Sequence, residues 1–357
     1  MDKLILVIYP RAATTKIAVY DNRKQVFLTN IRHPQEDIVK FRKIADQFEY
    51  RKEAVSDELR KAGIDIKKMN IIVGRGGLFK PIAGGVYRVN DAMIRDTKKP
   101  MGEHESNLGG IISYALAKEA LKDAIAIIVD PNCVDEMEKI SKISGMPEIT
   151  RKSMLHTLNQ RTVARKFARE MGKDYEDINV IVAHIGRGTS VGVHRKGKII
   201  DVNNGLIGDG PMSAERSGGM PAGDLVELCF SGKYTKDEII DKLKNKGGLI
   251  AYLGTNDCYE IEKRIEQGDT NAKLIFSALA YQTAKEIGGA STTLMGELDG
   301  ILLTGELAHS NFIINAVTER IKHLGLVRVY PGEDEMEALA MYGYMVLDGE
   351  IETKEYK

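Results

Sequence analysis

Two groups of short apolar runs along the chain share one layout. The first group lies at residues 4–8, 16–20 and 25–29, and the second lies at 180–185, 191–195 and 199–203. In each group a polar or small-residue turn follows the first run and a short turn follows the second, which predicts two three-stranded β-meanders. The meanders begin about half the chain apart, so we expect duplicated domains. Unrelated meanders are also common, and the pattern alone leaves that alternative open.

Longer apolar and amphipathic segments separate the meanders. They predict helices at 39–59, 111–121, 153–171, 224–230, 236–245, 271–289 and 335–347, and buried strands at 70–73, 124–129 and 300–304. Strands that alternate with helices are typical of an α/β fold with mixed sheets. No low-complexity linker divides the chain, so the domain boundary, expected near 140–150, rests on the duplication alone.

Composition narrows the class of protein. The chain has 357 residues, and Lys+Arg and Asp+Glu both number 51, so the formal net charge is +0. This balance argues against a nucleic-acid partner, because proteins that bind nucleic acids usually carry more Lys and Arg than Asp and Glu. No apolar run approaches the ~18 residues of a membrane span, and the N-terminus enters a strand without a cleavage signal. Three cysteines without metal-ligand spacing favour a reducing cytoplasm, so we expect a cytoplasmic protein without a membrane partner.

Polar residues at the ends of buried strands are the first candidates for chemistry. The chain lacks the phosphate-loop, dinucleotide, zinc-protease and serine-hydrolase signatures. Asp130 follows the strand at 124–129 and precedes Pro131, so it is either a functional carboxylate or a turn residue. Arg75 lies among glycines after another strand, and Arg216 lies in a glycine-rich segment at 203–223. Either arginine can be a surface residue, but together they suggest an anionic substrate with carboxyl or phosphoryl groups.

Three histidines and one glycine turn complete this set. His104, His156 and His184 each lie at the edge of a predicted element, where a lone histidine is more often structural than catalytic. His184 begins the turn of the second meander, which favours a functional role for it. Gly305 ends the strand at 300–304, a pattern found at nucleotide sites and also at ordinary turns.

Taken together, these motifs resemble the acetate and butyrate kinase family, which belongs to the superfamily of sugar kinases and actin. The resemblance is carried by Gly74-Arg75-Gly76-Gly77, Gly102-Glu103-His104-Glu105, Val129-Asp130-Pro131, Arg151-Lys152-Ser153 with His156, Gly208-Asp209-Gly210-Pro211 and Glu215-Arg216-Ser217-Gly218. Further matching segments lie at 84–87, 134–137, 202–204 and 248–255. The motifs span the chain and are closer to butyrate kinase than to acetate kinase.

The resemblance implies a fold and a reaction. The fold is α/β, with two duplicated ribonuclease-H-like domains of the actin-like ATPase type and a central cleft. The domains span 1–145 and 146–336, and the C-terminal helix at about 337–357 packs back onto the first. ATP and a short-chain carboxylate give ADP and an acyl phosphate with Mg²⁺, in a homo-oligomer that is a dimer or larger.

The resemblance also implies roles for individual residues. Arg75 and Arg216 hold the carboxylate and the transferring phosphoryl group, and His156 stabilises its equatorial oxygens. Asp130 is the acidic residue near the nucleophile and the metal, and Glu335 helps to hold Mg²⁺. His104 and Asn107 belong to the substrate pocket. The phosphate-binding residues are Thr14, Thr15, Lys16, His184, Gly186, Gly188 and Gly305. Positioning and charge neutralisation by such groups account for most of the catalysis of phosphoryl transfer.

Departures from the family pattern concentrate in three nucleotide motifs. Tyr9 stands in place of the usual asparagine, Arg11 and Arg187 replace glycines, and Glu306 replaces the glycine of a Thr-Gly-Gly motif. Glycine allows close approach to phosphate and positive φ angles, so Arg187 is strained by about 1–2 kcal/mol if its backbone must be left-handed.

Two interpretations of these departures compete. In one, the protein is a butyrate or branched short-chain fatty-acid kinase in which Arg11 or Arg187 compensates for lost backbone contacts. In the other, it is a degenerate homologue that binds ATP poorly and acts as a binding or regulatory subunit. Opposite charges at these motifs suggest an Arg187–Glu306 or Arg11–Glu306 ion pair. A phosphoryl donor other than ATP, such as pyrophosphate, is a third option.

Overall fold

The chain forms two compact units. The structure, a computed structural model, describes residues 3–332 and 335–357. Unit 1 contains residues 1–134 and 334–357, and unit 2 contains residues 135–333. Each unit has its own β-sheet and its own apolar core.

Unit 1 is built on a seven-stranded mixed sheet in its described part. Its strands are β1 Leu4–Pro10, β2 Thr14–Asp21, β3 Lys24–Arg32, β4 Ile71–Arg75, β5 Val86–Arg88, β6 Ile125–Val129 and β12 Lys354–Glu355. Their order is β12-β5-β6-β4-β1-β2-β3. Strands β1, β2 and β3 form the predicted antiparallel meander, whereas β4 lies parallel to both β1 and β6.

Helices cover both faces of this sheet. They are α1 Gln35–Ile38, α2 Phe48–Lys61, α3 Asp91–Thr97, α4 Asn107–Ala117 and α12 Glu335–Leu347, with single 3-10 turns at Ile44–Gln47 and Ile66–Lys68. Leu6 and Ile8 of β1 share a core with α2 and α4, whereas the Gly343 backbone of α12 lies against Ile5. Successive residues of a strand point to opposite faces, so the continuous apolar run of β1 is buried on both sides.

Unit 2 repeats the arrangement around a five-stranded sheet. Its described strands are β7 Asn179–Ile185, β8 Thr189–Arg195, β9 Lys198–Val202, β10 Gly300–Gly305 and β11 Val327–Pro331, in the order β11-β10-β7-β8-β9. Its helices are α5 Thr157–Glu170, α6 Ala222–Phe230, α7 Lys236–Lys244, α8 Gly248–Leu253, α9 Cys258–Glu266, α10 Thr270–Ser291 and α11 Asn311–Ile321, with 3-10 turns at Ile140–Lys142, Tyr175–Asp177, Thr292–Leu294 and Glu306–His309. Helix α5 shares a core with β7 and β10, and α10 shares another core with β7 and β8.

The two sheets confirm the predicted duplication. In strand order and direction, β6-β4-β1-β2-β3 of unit 1 corresponds to β11-β10-β7-β8-β9 of unit 2. Both meanders also carry a register shift at the same place, between Val19 and Tyr20 in β2 and between Val193 and His194 in β8. Bulges are conserved within protein families, so a bulge at equivalent positions supports a common origin of the two meanders. The fold is therefore α/β with two copies of one supersecondary unit.

Gly74 is the point of closest approach between β4 and α4. A Cβ atom at this position would lie 2.3 Å from the Gly109 carbonyl oxygen, a backbone atom that cannot rotate away. We expect Gly74→Ala to lower the free energy of unfolding by about 1–3 kcal/mol through overpacking. Chemical denaturation measures this change. Gly145→Ala is the control, because its Cβ meets nothing within 4 Å, and an equal loss in both variants would contradict the expectation.

Candidate active site

Glycines position Arg75 at the carboxyl end of β4. A Cβ on Gly76 would lie 2.4 Å from Pro131 Cβ, and one on Gly77 would lie 2.5 Å from Asn107 Oδ1. The glycines therefore let this segment pack directly against the start of α4 and against the residue that follows Asp130. Arg75 and Val129 pair across β4 and β6, so Arg75 and Asp130 end neighbouring parallel strands. This edge of a parallel sheet is where α/β proteins bind ligands.

The Arg75 guanidinium lies on the face of Tyr9. Its Cζ atom is 4.2 Å from the ring centroid of Tyr9, and its Nη1 donates to the Pro10 carbonyl at 3.3 Å. The Cζ atom of Arg11 is 5.3 Å from the same centroid. Tyr9 is buried, so its ring offers a cation–π surface in a partly desolvated place. The residue that departs from the family pattern at position 9 therefore orients one of the candidate catalytic groups.

Asp130 has an unusual backbone conformation at the end of β6. Its φ angle is 39°, in the left-handed region that non-glycine residues rarely adopt. The side chain is buried, and its Oδ1 accepts a hydrogen bond from the Gly85 amide at 2.7 Å. Such outliers cost about 1–3 kcal/mol and persist where the surroundings over-determine them, commonly at functional sites. This geometry favours the functional interpretation of Asp130 over that of a plain turn.

The two residues expected in the substrate pocket are hydrogen-bonded to backbone groups of unit 1. Asn107 is buried, its Oδ1 accepts from the Leu78 amide at 2.7 Å and its Nδ2 donates to the Gly102 carbonyl at 3.0 Å. His104 Nδ1 accepts from the Ser106 amide at 3.1 Å. Asn107 therefore fixes two backbone segments beside Arg75, and the geometry does not support a substrate contact through its amide group.

A buried arginine holds the turn between β1 and β2. The Arg51 side chain of α2 is fully buried, and its Nη1 donates to the Arg11 carbonyl at 2.8 Å and the Thr14 carbonyl at 3.0 Å. Its Nη2 donates to the Ala12 carbonyl at 2.8 Å. Burial lowers the pKa of Arg51 to about 10. Arg51 shares the buried face of α2 with Val55 and Leu59, and no sequence motif distinguishes it from an exposed helical arginine.

The hydroxyl group of Thr15 is not available to a phosphate. Thr15 is fully buried, its Oγ1 accepts from Arg51 Nη1 at 3.2 Å and lies 2.8 Å from His33 Nε2. The side chain faces the core of unit 1, so the geometry does not support the expected phosphate contact through this hydroxyl group. Lys16 lies on the opposite face of β2, where it pairs with Tyr9, and Thr14 is half-buried beside the turn.

His33 makes unit 1 sensitive to acid. Burial, together with the nearby Arg51 charge, lowers the pKa of His33 from 6.5 to about 4. The unfolded chain therefore takes up this proton at a higher pH than the folded chain, and stability falls as pH decreases from 6.5 towards 4. We expect the free energy of unfolding of His33→Gln to decrease less over this pH range than that of the wild type, as measured by urea unfolding at several pH values. His323→Gln, at an exposed histidine, should keep the full pH dependence, and identical profiles for the two variants would refute the assignment.

Glu335, the expected Mg²⁺ ligand, lies beside a guanidinium group in unit 1. Its Oε2 lies 3.7 Å from Arg11 Nη2 in the same unit. A guanidinium group so close to the carboxylate competes with a cation for the same oxygen atoms. Within residues 3–332 and 335–357, no group of three or more His, Cys, Asp and Glu side chains is arranged to hold a metal ion. Arg11 thus pairs with Glu335. The alternative prediction of an Arg11–Glu306 ion pair is wrong.

Two histidines stack face to face in unit 2. The rings of His156 and His184 have centroids 3.6 Å apart and planes 10° apart. His184 Nδ1 lies 2.9 Å from Asn159 Oδ1, and His156 Nδ1 lies 3.0 Å from Ser190 Oγ. The structure therefore brings together two residues that the sequence analysis treated separately. Each ring is oriented by a polar side chain, as expected of histidines that act on a substrate.

The turn between β7 and β8 does not need a left-handed residue. Arg187 has no positive φ angle, so the expected strain at this position is not present. Its Nε donates to Glu215 Oε1 at 2.7 Å, and the expected Arg187–Glu306 ion pair is therefore wrong. Gly186 lies against His184 Nε2, and a Cβ on Gly188 would lie 2.6 Å from the Gly205 carbonyl oxygen. These glycines serve close packing of the turn.

Glu215, for which the sequence predicts no role, is the carboxylate that holds both Arg187 and Arg216. This buried carboxylate accepts from Arg187 at one oxygen, from Arg216 Nη1 at 3.0 Å at the other, and from Asn256 Nδ2 at 2.8 Å. Burial raises the pKa of Glu215, but the hydrogen bonds and charges of Arg187 and Arg216 outweigh burial and hold it below the usual value. Arg216 Nη1 also donates to the Lys244 carbonyl. The carboxylate thus fixes Arg216 beside the glycine-rich loop.

The last of the three nucleotide motifs lies at the end of β10. Gly305 has a φ angle of 95°, and a Cβ there would lie 2.4 Å from the Ile185 carbonyl oxygen, so only glycine fits. The following Glu306 is exposed. Burial and then the charge of Glu306 raise the pKa of the Cys258 thiol to about 12. The Glu306 carboxylate therefore lies near the start of α9, and the carboxylate that pairs with Arg187 is that of Glu215.

Comparison with known proteins decides the family. The acetokinase family matches residues 145–343, more than half of the chain. The chain belongs to the acetokinase family. The resemblance stated from sequence is thus confirmed at the level of the family, and its fold class is confirmed by both sheets.

Solved structures of similar fold cover nearly the whole length of this acetokinase-family chain. An acetate kinase from Porphyromonas gingivalis is 17% identical with a TM-score of 0.78, and covers 97% of this chain and 100% of its own. A propionate kinase from Francisella tularensis is 18% identical with a TM-score of 0.74, with coverages of 94% and 98%. An acetate kinase from Entamoeba histolytica is 15% identical with a TM-score of 0.74, with coverages of 95% and 98%. At these identities the likeness shows a shared fold.

None of the helices in the described ranges combines the length and apolar character that a membrane crossing requires.

Proposed function

We propose that the protein is a short-chain carboxylate kinase that transfers the γ-phosphoryl group of ATP to butyrate or a related branched acid. The observation that carries the proposal is the pair of Arg75 and Asp130 at the ends of neighbouring parallel strands in unit 1. Arg75 is held by an aromatic face and a carbonyl, and Asp130 is held in a strained backbone conformation. Membership of the acetokinase family, and relatives that are named acetate and propionate kinases, support the same class of reaction.

The proposed reaction assigns each group a task. The carboxylate oxygen attacks the γ-phosphorus of ATP, the bond to the β–γ bridging oxygen breaks, and ADP leaves with the electron pair of that bond. The Arg75 guanidinium forms a planar fork that matches a carboxylate. In unit 2, the Nε2 side of His156 and the cationic Arg216 suit the spread of negative charge over the phosphoryl oxygens. Homo-oligomer formation and a cytoplasmic location remain parts of the proposal.

Formation of acyl phosphate tests this function directly. Hydroxylamine traps acyl phosphates as hydroxamates, so the assay follows turnover with ATP and acetate, propionate, butyrate or isobutyrate in parallel. We expect turnover with all four acids and the highest kcat/KM with butyrate or isobutyrate. Calorimetric titration with MgATP provides the second readout. Absence of both turnover and MgATP binding at several millimolar, in a folded sample, would reject the kinase.

A second candidate function is a binding or regulatory subunit with impaired nucleotide binding. The observation that favours it is the Arg187 side chain, which is 69% exposed on the turn of the second meander although its Nε is held by Glu215. A bulky side chain at a position where the family has glycine can exclude a phosphate or can bind one. Whether the Arg187 side chain strengthens or weakens ATP binding therefore distinguishes the kinase from the regulatory subunit.

Replacing Arg187 by alanine is therefore expected to weaken ATP binding. In the kinase, Arg187 contributes a charge-assisted hydrogen bond to phosphate, so its loss raises KM for ATP by about tenfold and leaves KM for butyrate unchanged. Lys198→Ala, an exposed cation at the start of β9, is the matched control and should leave both constants unchanged. Tighter MgATP binding by Arg187→Ala would favour the regulatory subunit.

A further inference from the structure

A line of buried polar side chains runs behind His156 in unit 2. It starts at Tyr175, whose hydroxyl oxygen lies 2.8 Å from His194 Nδ1. His194 Nε2 lies 3.0 Å from Gln160 Oε1, and Gln160 Nε2 lies 2.9 Å from Ser190 Oγ. Ser190 Oγ then lies 3.0 Å from His156 Nδ1. Tyr175, His194, Gln160 and Ser190 are all buried, whereas His156 is half-buried at the end of the line.

The direction of every hydrogen bond in this line follows from one backbone group. Gln160 Nε2 also lies 3.0 Å from the Ser190 carbonyl oxygen, which can only accept. The amide nitrogen must therefore face Ser190, and the amide oxygen must face His194. Because that oxygen only accepts, His194 carries its proton on Nε2 and accepts at Nδ1 from the Tyr175 hydroxyl.

The ring nitrogens of His156 also have fixed donor and acceptor roles. Ser190 Oγ accepts from Gln160 Nε2, and within the described ranges its hydroxyl proton has one acceptor in reach, which is His156 Nδ1. His156 Nδ1 therefore accepts, and the ring proton of His156 resides on Nε2. His184 has the opposite arrangement: Asn159 Nδ2 points at the Gly332 carbonyl, so Asn159 Oδ1 accepts from His184 Nδ1.

Two further features keep the line intact. Burial, reinforced by the charge of Arg161, lowers the pKa of His194 to about 3, so His194 stays neutral and can accept from Tyr175 at physiological pH. Gly192 leaves the space that Gln160 occupies, because a Cβ there would lie 2.2 Å from Gln160 Oε1 and 3.3 Å from His194 Nε2. A glycine in the middle of β8 thus has a specific packing reason.

We infer that Tyr175, His194, Gln160 and Ser190 form a directional hydrogen-bond chain that sets the tautomer of His156 and presents its Nε2–H to the transferring phosphoryl group. The inference rests on the proposed function, in which His156 contacts that group. The four residues are positioning residues, because they act only through His156. Fixing a donor before the substrate arrives removes the reorganisation that a freely exchanging imidazole requires.

Nuclear magnetic resonance of ¹⁵N-histidine-labelled protein tests the inference without any activity measurement. Long-range proton–nitrogen spectra distinguish the two imidazole tautomers, and we expect a protonated Nε2 and an accepting Nδ1 for His156. Its signals are assigned by comparison with His156→Gln. In Ser190→Ala and Gln160→Met we expect a mixture of His156 tautomers. Thr283→Ala, which removes a buried hydroxyl from α10 outside the chain, is the control and should keep the single tautomer.

Kinetics supply the second readout. We expect Ser190→Ala to lower kcat by about tenfold with KM for butyrate unchanged, Gln160→Met to have a smaller effect, and Tyr175→Phe to have the smallest. A His156 that carries its proton on Nδ1, or a single Nε2–H tautomer retained in Ser190→Ala, would overturn the inference. A wild-type protein with the expected tautomer but without acyl phosphate formation would instead reject the proposed function. Thermal unfolding of each variant identifies loss of fold.

Discussion

Arg75→Ala is expected to lower kcat/KM for the carboxylate by about 10²–10³-fold, the largest kinetic effect predicted for the chain. A preorganised donor aimed at developing charge contributes an effect of this size, and Arg75 is preorganised by the Tyr9 face and the Pro10 carbonyl. Arg75→Lys keeps the charge but not the planar fork, so we expect an intermediate loss. Hydroxamate formation over a range of butyrate concentrations measures both variants.

The controls for Arg75 lie in the same unit. Arg88→Ala removes an exposed arginine from β5 and should leave the kinetics unchanged. Tyr9→Phe keeps the aromatic ring under Arg75 and should retain most of the activity. Tyr9→Leu removes the ring and should lower kcat/KM for the carboxylate, but less than Arg75→Ala does. An Arg75→Ala protein within threefold of the wild type would exclude Arg75 from the reaction.

Arg51→Met is expected to produce the largest loss of stability. The substitution removes the donors to the carbonyl groups of Arg11, Ala12 and Thr14. The Thr14 carbonyl keeps the Arg11 amide as a donor, whereas the carbonyls of Arg11 and Ala12 and the buried Gln47 Oε1 lose the Arg51 donors. Each acceptor left without a donor in a partly buried place costs about 1–3 kcal/mol, so the free energy of unfolding should fall by at least about 3 kcal/mol. For a domain of 150–250 residues this corresponds to a fall in Tm of roughly 6–12 °C.

Chemical denaturation and calorimetry measure this loss. Arg60→Met is the matched control, because Arg60 lies on the same helix α2 but is exposed and pairs with the exposed Asp57. Its expected change lies within about 0.5 kcal/mol. Equal stabilities of the two variants would show that water replaces the Arg51 guanidinium without cost.

Strands β1 and β7 could be predicted from sequence because burial on both faces leaves continuous apolar runs. Both meanders and helix α12 lie where these runs predict them. Strands β5 and β11 were not predicted, since β5 has three residues and β11 is half-exposed. Helix α4 begins at Asn107 and not at 111, although Gly109 and Gly110 are residues that usually break a helix. In the fold Gly109 permits close contact with β4.

Residues at strand ends could also be located from sequence, whereas their partners could not. Arg75, Asp130 and His184 follow or end buried strands, and this position alone marks them. Arg51 and Thr15 are 36 residues apart, and Gln160 and Ser190 are 30 apart, so their contacts exist only after packing. Charge complementarity between motifs predicted an Arg187–Glu306 pair, but Glu215, 28 residues after Arg187, is the partner in the fold.

The Arg51 contacts have a consequence for the outer side of the first turn. A peptide group is planar and trans, so its N–H points opposite to its C=O. Because the carbonyls of Arg11 and Ala12 point inward to the Arg51 guanidinium, the amide N–H groups of Ala12 and Ala13 point outward. The positive ends of two peptide dipoles therefore face away from the core at a turn without a single glycine. A buried cation on the inner side thus orients the backbone for an anion on the outer side, in a turn where Arg11 stands in place of the usual glycine.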